Sequence, residues 1–133
     1  MIMSNPFVAT LVYFIACGAF LLVSFFVIEV TTKYNDWEEI KKGNVSVSIA
    51  TSGKLLGIAN ILRFAISGND NIGQTLLWGL VGLVLLIFIY FLFNAVTPKI
   101  NLDDAIAKDN RAVAILSFFI SLSFSFIIGP SIT

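Results

Sequence analysis

Lys54 is the residue of this 133-residue chain whose type and position most invite chemistry. It lies inside the apolar run Val45–Ser67, about 14 Å from the first end if that run is helical, close to the middle of a bilayer. A lone ammonium there costs roughly 3 kcal/mol on insertion scales, so it must face protein or water rather than lipid. Two readings stay open. Lys54 either pairs or snorkels structurally, or it serves an ion path or an anionic headgroup. Glu29, near the inner end of the first apolar run, is the only acidic residue within any span. It sits closer to the surface than Lys54, so a direct pair requires the lysine to stretch toward the cytoplasm. Asn60 and Arg63 complete the intramembrane polar set. Arg63 is half a turn around from Lys54 and one turn from the helix end, where it reads as an interfacial anchor that snorkels or reaches Asp70.

Little here suggests catalysis. The chain has no histidine and a single cysteine, Cys17. It therefore lacks the commonest general base, the commonest metal ligand and any metal-spaced cysteine set. No carboxylates cluster inside the spans, and no Gly-rich phosphate loop follows a strand. The expectation is a non-enzyme with no cofactor and no metal. Net charge is zero without a basic run, which argues against a nucleic-acid partner.

The elements that must position these residues are membrane helices. Hydrophobic residues make up 58% of the chain and charged residues 12%, too little polar material to cover a soluble surface. Four spans are predicted: 7–30, 45–67, 76–96 and 112–128, the last ending at Gly129-Pro130. Ser4, Asn5 and Pro6 suit a helix start. With no Lys or Arg ahead of it, the first run reads as a span rather than a signal peptide.

The two halves also repeat. At an offset of 66, residues 25–49 align with residues 91–115 without a gap, and ten of the 25 positions are identical. The identities include the polar connector, among them Thr31/Thr97, Lys33/Lys99, Asn35/Asn101, Lys42/Lys108 and Asn44/Asn110. The expected fold is thus an all-α integral membrane protein of two parallel two-helix repeats, residues 1–67 and 68–133. The connectors are 31–44 and 97–111.

Lys33, Lys41 and Lys42 lie in the first connector, and Lys99, Lys108 and Arg111 in the second, while the opposite loops hold no Lys or Arg. That asymmetry places both connectors in the cytoplasm and both termini outside. Asn35 with Glu38 reads as a reciprocal helix cap, repeated by Asn101 and Asp104. Trp37 and Ile40 are expected to press one face into the headgroup layer. Asn44 and Asn110 read as caps, with contact to a ligand or partner as the alternative. Trp37, Glu38, Asn44, Asp104 and Asn110 are the candidate partner contacts.

Small residues mark expected packing faces. Gly53 and Gly57 are spaced by four, as are Ser117, Ser121 and Ser125, and such stripes let backbones approach. The serine stripe has a wet path as its alternative reading. The string Asn35-Asp36-Trp37-Glu38-Glu39-Ile40-Lys41-Lys42-Gly43-Asn44, followed by Ser48, Ala50, Ser52-Gly53 and Leu55-Leu56-Gly57, resembles the YjfL-like family of small bacterial inner-membrane proteins. Leu77-Trp78-Gly79 fits it as well. The resemblance spans essentially the whole chain and implies tandem two-helix repeats with no established molecular activity. It also implies an inner-membrane location and a link to envelope stress.

Two functions remain open from sequence. One is a non-catalytic, homo-oligomeric inner-membrane module in the lipid bilayer, offering its connectors to a cytoplasmic protein. The other is a small channel or transporter subunit whose second span and Lys54 line an ion or anion path.

Overall fold

Six asparagines set where the helices begin. The computed structural model describes residues 4–32, 34–96 and 101–132; Lys33, Thr97 and Lys99, used above for the repeat and the charge bias, lie outside the described residues. The helices are α1 (Pro6–Thr31), α2 (Asp36–Lys41), α3 (Val45–Gly68), α4 (Ile72–Val96), α5 (Leu102–Ala107) and α6 (Arg111–Ser131). Asn5, Asn35, Asn44, Asn101 and Asn110 each accept, through the side chain, a backbone N–H of the first turn that has no helical partner. Asn71 does the same for Gln74 N–H at 2.8 Å. This cap winds α4 four residues ahead of the expected start at 76. At the other end α6 runs through Pro130 to Ser131 rather than stopping at Gly129-Pro130. A proline's φ is helical, but it has no N–H to bond back to the preceding turn, and the helix ends one residue later.

α1, α3, α4 and α6 are long and apolar enough to cross a bilayer. Between them, α2 and α5 are single short turns of helix that close identically. In α2 the N–H of Gly43 bonds to Ile40 O and that of Asn44 to Glu39 O, both at 2.9 Å. In α5 Asp109 N–H bonds to Ile106 O at 3.0 Å and Asn110 N–H to Ala105 O at 2.9 Å. Both are Schellman closures, which need a left-handed residue. Gly43 supplies it at φ 86° and Asp109 at φ 63°. Asp109 tolerates that conformation better than most residues, and its carboxylate is engaged besides. It accepts the Ser46 hydroxyl at 2.7 Å and the Ser46 N–H at 3.0 Å. These bonds hold the Asp109 carboxyl below the usual carboxylate range, with Arg111 adding a smaller pull.

α3 is the hub: it packs against each of the other five helices. Its closest neighbour is α6. A Cβ on Gly53 would fall 2.5 Å from Phe118 Cα, one on Gly57 would fall 3.2 Å from the Ser121 carbonyl oxygen, and one on Gly129 would run into the Phe64 ring. Asn60 Nδ2 donates to Ser125 Oγ at 2.9 Å. The paired numbers rise together, so the two helices run parallel. Each helix also offers a glycine to a phenylalanine of the other. Against α4 the order reverses, with Leu62 beside Gly79, Ile61 beside Gly82 and Leu86 beside Gly57, so that pair is antiparallel. α1 is peripheral: it buries only Ser24 and Ile28.

Gly53→Ala is expected to destabilise the fold by about 1–3 kcal/mol, because the added methyl meets backbone rather than a movable side chain. Gly18 has nothing within 4 Å of its Cβ position, so Gly18→Ala should leave stability unchanged or slightly raised. Thermal unfolding of the two variants in one detergent, followed by circular dichroism, checks the contrast.

Candidate functional site

The polarity that makes α3 the least apolar span converges under the connectors. Lys54 is 5% exposed and Asp36, the first residue of α2, is fully buried. Thr51 lies one turn of α3 from Lys54, on the connector side. Its hydroxyl donates to Asp36 Oδ2 at 3.0 Å, and the Thr32 hydroxyl donates to Oδ1 at 3.3 Å. From the second half, Asp103 of α5 accepts the hydroxyl of Tyr90. The Tyr90 ring in turn lies under Lys54, with Nζ 3.8 Å from its centroid. A desolvated cation–π contact of this kind contributes about 2 kcal/mol. Asp36 and Asp103 both act on the Lys54 charge through space. Tyr34 completes the group, with a buried hydroxyl that has no hydrogen-bond partner among the described residues.

Burial pushes the Asp36 carboxyl up from its ordinary range, while the Thr51 bond, Lys54 and the Thr32 bond oppose it and Asp103 reinforces it. The Tyr34 phenol is pushed far above its usual range by burial first, then by Asp36 and Asp103. It is therefore a neutral donor at any ordinary pH. A cavity of about 10 Å³ beside Lys54, bounded by Ile28, Thr31, Leu83, Leu86, Ile87 and Tyr90, has room for about one water. Among the described residues no set of His, Cys, Asp and Glu converges as a metal cage. What the arrangement can do is hold one positive charge against two carboxylates, and bind both connectors to the spans.

Other residues singled out from sequence land elsewhere. Glu29 does not serve Lys54: it lines an open groove beside α2, and the charges acting on Lys54 come from the connectors. Arg63 turns to Asn60 instead of Asp70, donating from Nε and Nη2 to Asn60 Oδ1 at 3.2 Å each, with its guanidinium over the Phe64 ring. Asn60 thereby bridges Arg63 to Ser125. Ser117, Ser121 and Ser125 are buried along the face of α6. Of the pair expected to press into the headgroup layer, Ile40 packs half-buried against the core with Leu102 and Ile106, whereas Trp37 is 56% exposed. Asn35 accepts the Glu38 N–H at 3.1 Å, but among the described residues the Glu38 side chain does not return the bond. Asn101 accepts the Asp104 N–H in the same way at 3.2 Å. Asn44 does more than cap, donating from Nδ2 to Glu39 and to the Ala107 carbonyl of the second half.

A domain of unknown function, DUF350, matches residues 1–132. The chain belongs to the DUF350 family. The UPF0719 transmembrane protein YshE of Bacillus subtilis is 41% identical over 128 residues, covering 96% of each chain. The UPF0719 inner membrane protein YjfL of Escherichia coli K12 is 29% identical over 100 residues, 75% of this chain and 74% of that one. No solved structure matches significantly. The resemblance read from the connector string thus holds, and this DUF350 chain is a four-span membrane protein.

Asp36, Asp103 and Tyr90 were not singled out as site residues by sequence reasoning. An acidic residue directly after an Asn cap is the ordinary solvated choice at a helix N-terminus. The offset of 66 did hold a signal, since it sets Asp36 opposite Leu102, which is 1% exposed. A carboxylate at a position where the other half has a core leucine is a carboxylate that points inward.

The raised Asp36 carboxyl gives a pH prediction. The folded state binds its proton more tightly than the unfolded state, so this contribution to stability is full below the ordinary aspartate value of 3.8 and is lost as pH rises through the raised value. Asp36→Asn keeps an acceptor for Thr51 and removes the titration. Melting temperatures measured from pH 3.5 upward should decline less steeply in Asp36→Asn than in the native protein.

Proposed function

We propose that this chain is a non-catalytic, homo-oligomeric module of the bacterial inner membrane that serves envelope maintenance by presenting its two connectors to a cytoplasmic protein. The duplication of an ancestral two-helix unit accounts for the matching order α1-α2-α3 and α4-α5-α6. The observation that carries the reading is the two-sidedness of the connectors. Asp36 in α2, and Leu102, Asp103 and Ile106 in α5, are buried against the bundle. Trp37, Glu38 and Lys41 on one connector, and Asp104 and Lys108 on the other, are exposed. A connector needed only to join two spans has no use for a locked inner face. One that must offer fixed side chains to a partner does, because preorganisation lowers the ordering cost of binding.

The bias of basic residues supports cytoplasmic connectors. In a Cys17→Ser background, a membrane-impermeant maleimide is expected to label a cysteine placed at Asn69 in intact spheroplasts. A cysteine placed at Lys42 should react only after permeabilisation. The reverse pattern overturns the orientation.

A channel or transporter subunit, with α3 lining an ion or anion path, draws on one observation: ionisable groups at membrane depth commonly mark ion pathways. The space beside Lys54 in a single chain is only about 10 Å³, so such a path would run between copies. Purified protein in liposomes separates the readings. The module reading expects no conductance or flux that depends on Lys54, and a connector cross-link to a soluble protein that Trp37→Ala with Asp104→Ala removes. A flux abolished by Lys54→Ala defeats it.

A further inference from the structure

The groove between α1 and α2 is separate from the buried cluster and has a polar end and an apolar end. Its rim carries Glu29, Glu38 and Lys41, and its wall carries Leu22, Phe25 and Phe26, with Trp37 between, around a volume of about 650 Å³. Leu22 lies seven residues deeper than Glu29, about 10 Å farther into the bilayer along α1. Among the described residues, none of the three charged side chains has an ion-pair or side-chain hydrogen-bond partner.

We propose that this groove binds a phospholipid with a primary-amine headgroup, an ethanolamine phospholipid, from the leaflet that faces the connectors. The occupant must be amphipathic with its polar part at the connector and its apolar part along α1, which is the posture of a lipid and not of a soluble peptide. The rim carries two carboxylates against one ammonium. Carboxylates only accept hydrogen bonds, and a primary ammonium donates three. Glu29 and Glu38 therefore receive the amine while Lys41 meets the phosphate. A quaternary amine has no N–H to donate, and a headgroup whose only charge is the phosphate meets two carboxylates of its own sign. The exposed apolar wall takes the upper part of an acyl chain, and Trp37 lies over the glycerol region, where indole rings settle in membranes.

Trp37 makes the test direct, because the chain has only one other tryptophan, Trp78. Trp78→Phe protein is reconstituted in nanodiscs in which an acyl-brominated ethanolamine, choline or glycerol phospholipid is titrated against unbrominated lipid. Bromine quenches indole fluorescence only on contact. Half-quenching of Trp37 is expected at a roughly fivefold lower fraction for the ethanolamine lipid, about the effect of one added charge-assisted hydrogen bond. Glu29→Gln with Glu38→Gln, which keeps side-chain shape at one half-buried and one exposed position, should erase the difference while leaving helicity and melting temperature unchanged. Should that pair fail to fold, each single substitution is read the same way and should reduce the preference. Equal quenching by all three headgroups overturns the proposal. So does a preference for the glycerol headgroup, or an ethanolamine preference that survives both substitutions.

Discussion

An ammonium buried at membrane depth constrains the rest of this molecule. Lys54 is 5% exposed, shut off from bulk solvent, and lipid does not tolerate it, so protein must surround it. The Tyr90 ring takes one side, and Asp36 and Asp103 supply opposite charge. The carboxylates that act on it are both on short connector helices, Asp36 on α2 and Asp103 on α5. Those helices therefore have to fold back under the bundle instead of lying on the membrane surface. Thr51, Thr32 and Tyr90 then satisfy the carboxylates, which would otherwise be costly to bury in their own right.

Placing α3 at the centre follows from the same constraint. It is the span with the most polar residues, and in a bundle of four the most enclosed helix is the one that can carry them. The glycines allow that enclosure. Gly53 and Gly57 bring α6 and α4 close enough to exclude lipid, and Gly129 receives Phe64 in return. α1, with almost no side chain that needs protection from lipid, is left at the edge. Its exposure creates the groove with α2.

The two halves share architecture and divide labour. Gly43 and Asp109 occupy equivalent turns with the same left-handed backbone, yet only the aspartate adds side-chain bonds across to Ser46. Gly53 stands where the second half has a phenylalanine, and the two surfaces fit because they differ. A duplicated unit packing against its own copy meets this problem generally: identical bulky faces clash, and identical small faces leave voids.

Sequence by itself determined the solvent, the spans, the caps and the family, because each depends on local pattern. An apolar run of sufficient length, an asparagine at a helix start and a basic bias all act within a few residues. The same reading placed Lys54 inside the membrane and saw that it needed company. Only the tertiary structure decided which company. Glu29 was the near choice by span, but helix rotation turns it to the groove. Asp36 and Asp103 come from residues that look solvated until the connectors fold under the bundle. Arg63 likewise turns inward to Asn60 rather than outward to Asp70, since the Asn60–Ser125 bond already fixes an acceptor beside it. A charge announces in sequence that it must be paired, but the partner is chosen by where helices turn in space.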